Sequence, residues 1–183
     1  MLPLADLPPS LASYLQPRLA DFALPDGVNP EHVVQVCAAS EFALRLCLAH
    51  PQWLPTIASP HRDYPGLLQA VADASPDKPT LRRLLRDARQ QAMLRIAWRD
   101  LTQQADINET LQDLSDLADS CVQVMLTWLY QDACQQWGRP QDNTPLIVLA
   151  MGKLGAQELN FSSDIDLIYA YAEAGETQAP RPL

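Results

Sequence analysis

Between residues 80 and 137 the apolar side chains recur at steps of three and four. Leu81, Leu85, Ala88, Ala92 and Ile96 form one stripe, and Leu111, Leu114, Ala118, Cys121, Met125 and Trp128 form a second. With 3.6 residues per turn, such spacing puts each set on one helix face. The pattern predicts a helix over 80–104 and another over 108–137, with Asn108 as N-cap and Gly138 as the stop. A long helix with an apolar seam has to lay that seam on other helices. This part of the chain is therefore constrained to a helical assembly.

The preceding segment reads the same way, with more interruptions. Pro3, Pro8, Pro9, Pro17 and Pro25 surround one short helical piece, 11–22. Pro30-Glu31 suits a first turn, since proline lacks only a donor that would be free there and glutamate favours the positive end of the helix dipole. Val33, Val36, Cys37, Ser40, Leu44 and Cys47 then keep helical spacing, which predicts one continuous helix until His50-Pro51 stops it. Prolines punctuate 51–79, with a short helix expected over 64–74.

Near residue 140 the period changes. Arg139-Pro140-Gln141-Asp142-Asn143-Thr144-Pro145 is rich in turn formers. The run Leu146-Ile147-Val148-Leu149-Ala150 follows, uninterrupted as in a strand buried on both faces. The expected fold is mainly α with a small α/β part, divided into a helical region, 1–140, and a second region, 141–183. The tail from Glu173 to Leu183 has loop composition.

The 183 residues are 48% hydrophobic and 19% charged, values of a folded globular chain and not of a disordered one. No apolar stretch approaches the roughly 20 residues of a membrane span, and the N-terminus has no basic segment ahead of an apolar one. Cys37, Cys47, Cys121 and Cys134 fall inside helical patterns without Cys-x-x-Cys spacing, as buried free thiols of a cytoplasmic protein would. The net charge of −9 excludes a general nucleic-acid binder. Seven of the 13 basic residues nevertheless cluster on one predicted helix: Lys78, Arg82, Arg83, Arg86, Arg89, Arg95 and Arg99. The next helix opens with Asp106, Glu109, Asp113, Asp116 and Asp119. The two stripes either face each other or water, or the basic one docks an acidic partner.

Chemistry concentrates in residues 146–169. Gly152 and Gly155 let the backbone approach a phosphate and adopt a positive φ where a tight turn needs it. Lys153 supplies a flexible cation that contacts phosphate as a point charge. Asp164 and Asp166 stand two apart, so on a strand they share a face. Two adjacent carboxylates repel unless a cation separates them, and hard divalent ions prefer oxygen ligands. A P-loop does not fit, because Ile147 stands where its first glycine belongs and Leu154 follows Lys153. A Rossmann fingerprint does not fit either, because three spaced glycines cannot be written.

The whole run Gly-Lys-Leu-Gly-x-x-Glu-Leu-Asn-Phe-Ser-Ser-Asp-Ile-Asp-Leu-Ile, 152–168, resembles the nucleotidyltransferase motif of the glutamine synthetase adenylyltransferase/adenylyl-removing family, in particular its N-terminal catalytic domain. Met93-Leu94-Arg95-Ile96-Ala97-Trp98-Arg99-Asp100-Leu101, Asp116-Leu117-Ala118-Asp119 and Trp128-Leu129-Tyr130-Gln131 are similar to that family too. The resemblance implies a helical region followed by the start of a polymerase-β-like nucleotidyltransferase domain. It implies that Asp164 and Asp166 are catalytic metal ligands for Mg²⁺, and that Gly152 and Lys153 lie against nucleotide phosphates. Ser162 and Ser163 are further candidates for phosphate contact, and Glu158 has an open role. Family members remove AMP from a tyrosine of glutamine synthetase by phosphorolysis, giving ADP, and add it from ATP through a second domain. Signalling protein PII and glutamine set the balance.

The chain departs from the pattern in places. Lys153 stands where many superfamily members have serine, and Ala156 where the family often has glycine. No residue after Asp166 fits the third carboxylate that the superfamily takes from a later strand, since Glu173 and Glu176 fall in a loop. The chain therefore reads as an N-terminal piece of the bifunctional enzyme with part of the adenylyl-removing site. A catalytically inert helical binding fragment is the alternative reading, and another nucleotidyltransferase such as a uridylyltransferase is a third.

Overall fold

The computed structural model describes residues 2–57, 63–75, 77–140, 146–171 and 175–177. Helices dominate it, with one small sheet. In order they are α1 (Pro9–Leu15), α2 (Pro30–Ala39), α3 (Glu41–Ala49), α4 (Leu54–Ile57), α5 (Tyr64–Asp73), α6 (Lys78–Leu101) and α7 (Ile107–Trp137). Strand β1 (Ile147–Ala150), the single-turn helix α8 (Gly152–Gly155) and strand β2 (Leu167–Ala170) close the sequence of elements. The mainly α class with a small α/β part is the observed one. Among the described residues no helix is long and apolar enough to cross a membrane.

Several boundaries differ from expectation, each for a local reason. The first helix is shorter and earlier than 11–22: Pro9 takes its first turn, and Pro17, without an N–H, falls just past its end. The helix expected from Pro30 to Ala49 is two. Ser40 is extended (φ −144°, ψ 115°), and its Oγ accepts the Ala43 N–H at 3.2 Å. A serine that caps the following turn with its side chain competes with the backbone ladder, so one residue ends α2 and starts α3. Asp77 does the same for α6, its carboxylate accepting the Thr80 N–H at 2.7 Å. At α7 the cap is Asp106, not Asn108: Asp106 Oδ1 accepts the Glu109 N–H at 2.8 Å. Gly138, at φ 81°, stops α7 as its freedom in the left-handed region predicts.

The chain forms two compact units. Met1–Arg62 and Arg86–Thr110 make the first; Asp63–Leu85 and Leu111–Leu183 make the second. The first is centred on Leu15, Val33, Val36, Leu44, Cys47, Leu54, Ile57, Leu94 and Trp98, each at most 2% exposed. The His32 ring meets Trp98 edge-on at 6.2 Å. Cys37 and Cys47 are free and buried as expected, and the Cys37 thiol, hydrogen-bonded to Cys47 and away from water, is held far above its ordinary pKa. Cys121 and Cys134, expected to be buried, are only half-buried.

In the second unit Leu68, Leu81, Leu114, Leu117, Val124 and Leu154 are buried. The Trp128 indole N–H donates to the Ser75 carbonyl at 3.3 Å, and Lys78 pairs with Asp132 at 2.9 Å. Strands β1 and β2 pair antiparallel, with Ile147 opposite Ala170 and Ala150 opposite Leu167. The expectation of a strand buried on both faces is not met, because Ile147 and Leu149 are nearly half exposed. Val148, Ala150 and Leu167 line a cavity together with Asp119, Val122 and Leu126 of α7, and nothing among the described residues covers the other face, where Ile147, Leu149 and Ile168 are exposed. An isolated bridge joins Pro140 to Thr177; Gln141–Pro145, Glu173 and the last six residues lie outside the described ones.

The charged stripes sort by position. Arg82, Arg83, Arg86 and Arg89 are exposed, whereas Arg95 and Arg99 are buried. Arg99 holds Glu109 with its Nη2 at 2.8 Å from Oε1.

Candidate functional site

The glycine turn is built on the end of β1. After Ala150 the chain turns into α8, with Gly152 at φ +55°, a conformation that costs an L side chain about 1 kcal/mol or more. Gly155 is required for a different reason. A β-carbon there would lie 2.5 Å from the Ala150 carbonyl oxygen, so only hydrogen lets the turn fold back on the strand. The Gly155 N–H donates to the Met151 carbonyl at 3.2 Å, and Ala156 and Glu158 donate to Gly152 and Lys153. Leu154, 1% exposed, is the apolar anchor of this turn. Burying a leucine contributes about 1.5–3 kcal/mol.

Helix α7 holds the far side of the turn. Ser115, fully buried, donates its Oγ–H to the Leu111 carbonyl and accepts the Leu159 N–H at 3.2 Å. Gln157 adopts φ 59°, unusual for a residue with a side chain. Its Nε2 donates to Asp119 Oδ2 at 3.1 Å and to the Leu154 carbonyl at 3.2 Å, and its Oε1 accepts from Gln112 Nε2 at 3.1 Å.

Beyond the turn, Asn160 organises the approach to the aspartates. Its Oδ1 accepts the Ser162 N–H at 3.2 Å, the Ser162 hydroxyl at 3.2 Å and the Ser163 hydroxyl at 2.7 Å. Both serine protons are thus directed at Asn160. Asp164 and Asp166 are exposed and lie immediately before β2 and not within it, which corrects their expected place on the strand. The ladder reaches only as far as the Asp166 carbonyl, which accepts the Met151 N–H at 2.9 Å. That bond brings the Asp166 carboxylate to Gly152: Oδ2 lies 3.9 Å from where a β-carbon on Gly152 would sit.

The structure therefore brings Gly152 and Asp166 together, with Lys153 exposed on the same turn and Asp164 on the adjoining segment. An exposed carboxylate pair offers acceptor-only hard oxygens, the right donors for a divalent cation. Among the described residues no group of three or more His, Cys, Asp and Glu is gathered for a metal.

Sequence reasoning missed Asn160, Ser115 and Gln157. Asn160 had a readable signal, since an asparagine side chain commonly accepts the backbone N–H two residues on, as in an Asx turn. Ser115 and Gln157 had none, because their partners lie 44 and 38 residues away.

A family model described as glutamate-ammonia ligase adenylyltransferase matches residues 30–182. A curated relative from Thioalkalivibrio sulfidiphilus (strain HL-EbGR7), named bifunctional glutamine synthetase adenylyltransferase/adenylyl-removing enzyme, is 42% identical over 166 residues. The match takes in 84% of this chain and 17% of that relative, so the chain spans about a sixth of the relative's length.

Proposed function

The chain belongs to the glutamate-ammonia ligase adenylyltransferase family, and on that premise we propose that it supplies part of a nucleotidyltransferase site that removes AMP from a tyrosine of glutamine synthetase. The approach of the Asp166 carboxylate to Gly152 supports this reading most directly. It sets an oxygen ligand against a turn whose backbone is open and whose next residue is a lysine. In the proposed reaction a phosphate oxygen attacks the phosphorus of adenylyl-tyrosine. The bond to the tyrosine oxygen breaks, ADP leaves, and the tyrosine regains its proton.

In this reading Asp164 and Asp166 hold Mg²⁺. When bound, the ion neutralises charge on the phosphates and aligns them. Lys153 contributes a positive charge toward the same phosphates, and Gly152 keeps a side chain out of their path. Ser162 and Ser163 contact phosphate only by turning their hydroxyls away from Asn160, so we assign them first to shaping the turn. ATP-dependent addition of AMP, and control by PII, are proposed for the remainder of the full-length protein.

The test is Asp164→Asn or Asp166→Asn in the full-length protein, assayed with adenylylated glutamine synthetase and phosphate. Each substitution is expected to eliminate ADP formation and leave ATP-dependent adenylylation intact. Undiminished ADP formation in either variant refutes the metal-ligand assignment.

A further inference from the structure

We infer that Gln157 is a positioning residue that latches the glycine turn to helix α7 and so steadies the Gly152–Asp166 geometry that the Met151–Asp166 backbone bond sets; the functional part of this inference rests on the reading above. Three observations converge on it. Gln157 is half-buried and uses its whole amide group, with both N–H directions donated, to Asp119 Oδ2 and to the Leu154 carbonyl, and its oxygen accepting from Gln112. Its backbone sits at φ 59°, where glutamine is rarely found unless its surroundings hold it. The segment it ends is the one that carries Gly152, Lys153 and Gly155, and its own N–H donates to the Leu154 carbonyl at 3.0 Å.

The geometry explains what the latch accomplishes. Leu154 and Leu159 anchor the turn through apolar burial, which resists pulling away but leaves sliding along the helix to be opposed by directional bonds, of which Leu159 N–H to Ser115 Oγ is one. Directional bonds to Gln112 and Asp119, seven residues apart and so two turns along one face of α7, oppose that sliding. A turn free to slide would strain the Met151–Asp166 backbone bond that keeps the Asp166 carboxylate beside Gly152. Through these bonds a displacement of α7 is transmitted to the site.

The experiment compares the 183-residue chain with Gln157→Gly, Gln157→Glu, and Gln157→Glu combined with Asp119→Asn. Gln157→Gly accepts the positive φ without strain but removes all three side-chain bonds. Amide exchange of Gly155, Ala156, Glu158 and Leu159 is expected to quicken about tenfold, and Mn²⁺, used as the probe, to bind about tenfold more weakly. Helix content by circular dichroism should stay unchanged. Gln157→Glu sets a carboxylate against Asp119 and should behave as badly or worse. Adding Asp119→Asn restores a donor facing an acceptor, and exchange should return toward the original rate. Unchanged exchange in Gln157→Gly, or no rescue by the double substitution, overturns the latch. If the unsubstituted chain shows no Mn²⁺ broadening near Gly152 and Asp166, the metal reading fails, and exchange alone still decides the latch.

Discussion

Gly155→Ala probes how tightly the turn folds onto β1. The added β-carbon would stand 2.5 Å from the Ala150 oxygen and 3.2 Å from its carbonyl carbon, against the 3.4 Å at which ordinary contact begins. Both atoms are backbone, so no rotamer relieves the overlap, and the turn or the strand end has to move by almost 1 Å. Overpacking of this kind costs about 1–3 kcal/mol. An overlap of almost 1 Å with backbone atoms belongs in the upper part of that range, about 2–3 kcal/mol, and alanine's better helix propensity offsets about 1 kcal/mol of it, which leaves a net loss of about 1–2 kcal/mol. For a chain of this size each kcal/mol lowers Tm by about 2–4 °C, so calorimetry should record a fall of about 2–8 °C. Gly152→Ala should also destabilise, by about 1 kcal/mol, but from backbone strain alone, since its nearest neighbour would be an ordinary 3.9 Å away. Asparagine separates the two causes. It tolerates the left-handed region and should recover much of the loss at 152, whereas at 155 it should be as harmful as alanine. A Gly155→Ala protein that melts with the unsubstituted chain, or a Gly155→Asn protein more stable than Gly155→Ala, refutes the close approach.

Two further outcomes follow from the caps. Ser40→Ala removes the oxygen that accepts the Ala43 N–H between α2 and α3; it should cost about 1 kcal/mol, read as a lower urea midpoint, while Ser40→Asp stays close to the original. On the acid side, the Thr80 N–H holds the Asp77 carboxyl below its ordinary range, and the bond from Lys78 does the same for Asp132. A carboxyl depressed by folding stabilises the native state above its unfolded pKa, near 3.8 here, and that contribution disappears as pH falls through the folded value. Urea midpoints measured from about pH 5 to about pH 2 should therefore fall, and the fall should shrink in an Asp77→Asn, Asp132→Asn protein.

Much of this molecule was legible along the chain, because its signals are local. Apolar steps of three and four located α6 and α7 to within a few residues, and Gly138 ended α7 where its left-handed φ allowed. The glycine turn could also be read directly, but not that Gly152 rather than Gly155 takes the positive φ. Caps were less legible. Ser40, Asp77 and Asp106 are ordinary polar residues until one sees which N–H each accepts, and apolar periodicity runs straight through Ser40 because α3 continues the same stripe.

The site divides along the same line. By itself the sequence determined the chemical inventory: an Asp-x-Asp pair, a lysine between two glycines, and the family they belong to. Those are properties of residue type and spacing, which the chain carries in any conformation. Only the tertiary structure decided that the aspartates precede β2, that Asp166 rather than Asp164 borders Gly152, and that nothing among the described residues covers the outer sheet face. It also decided that Gln157 and Ser115 tie the turn to a helix some 40 residues away. Strand pairing and long-range hydrogen bonds depend on which distant groups folding brings within 3 Å or so, and no local period encodes that.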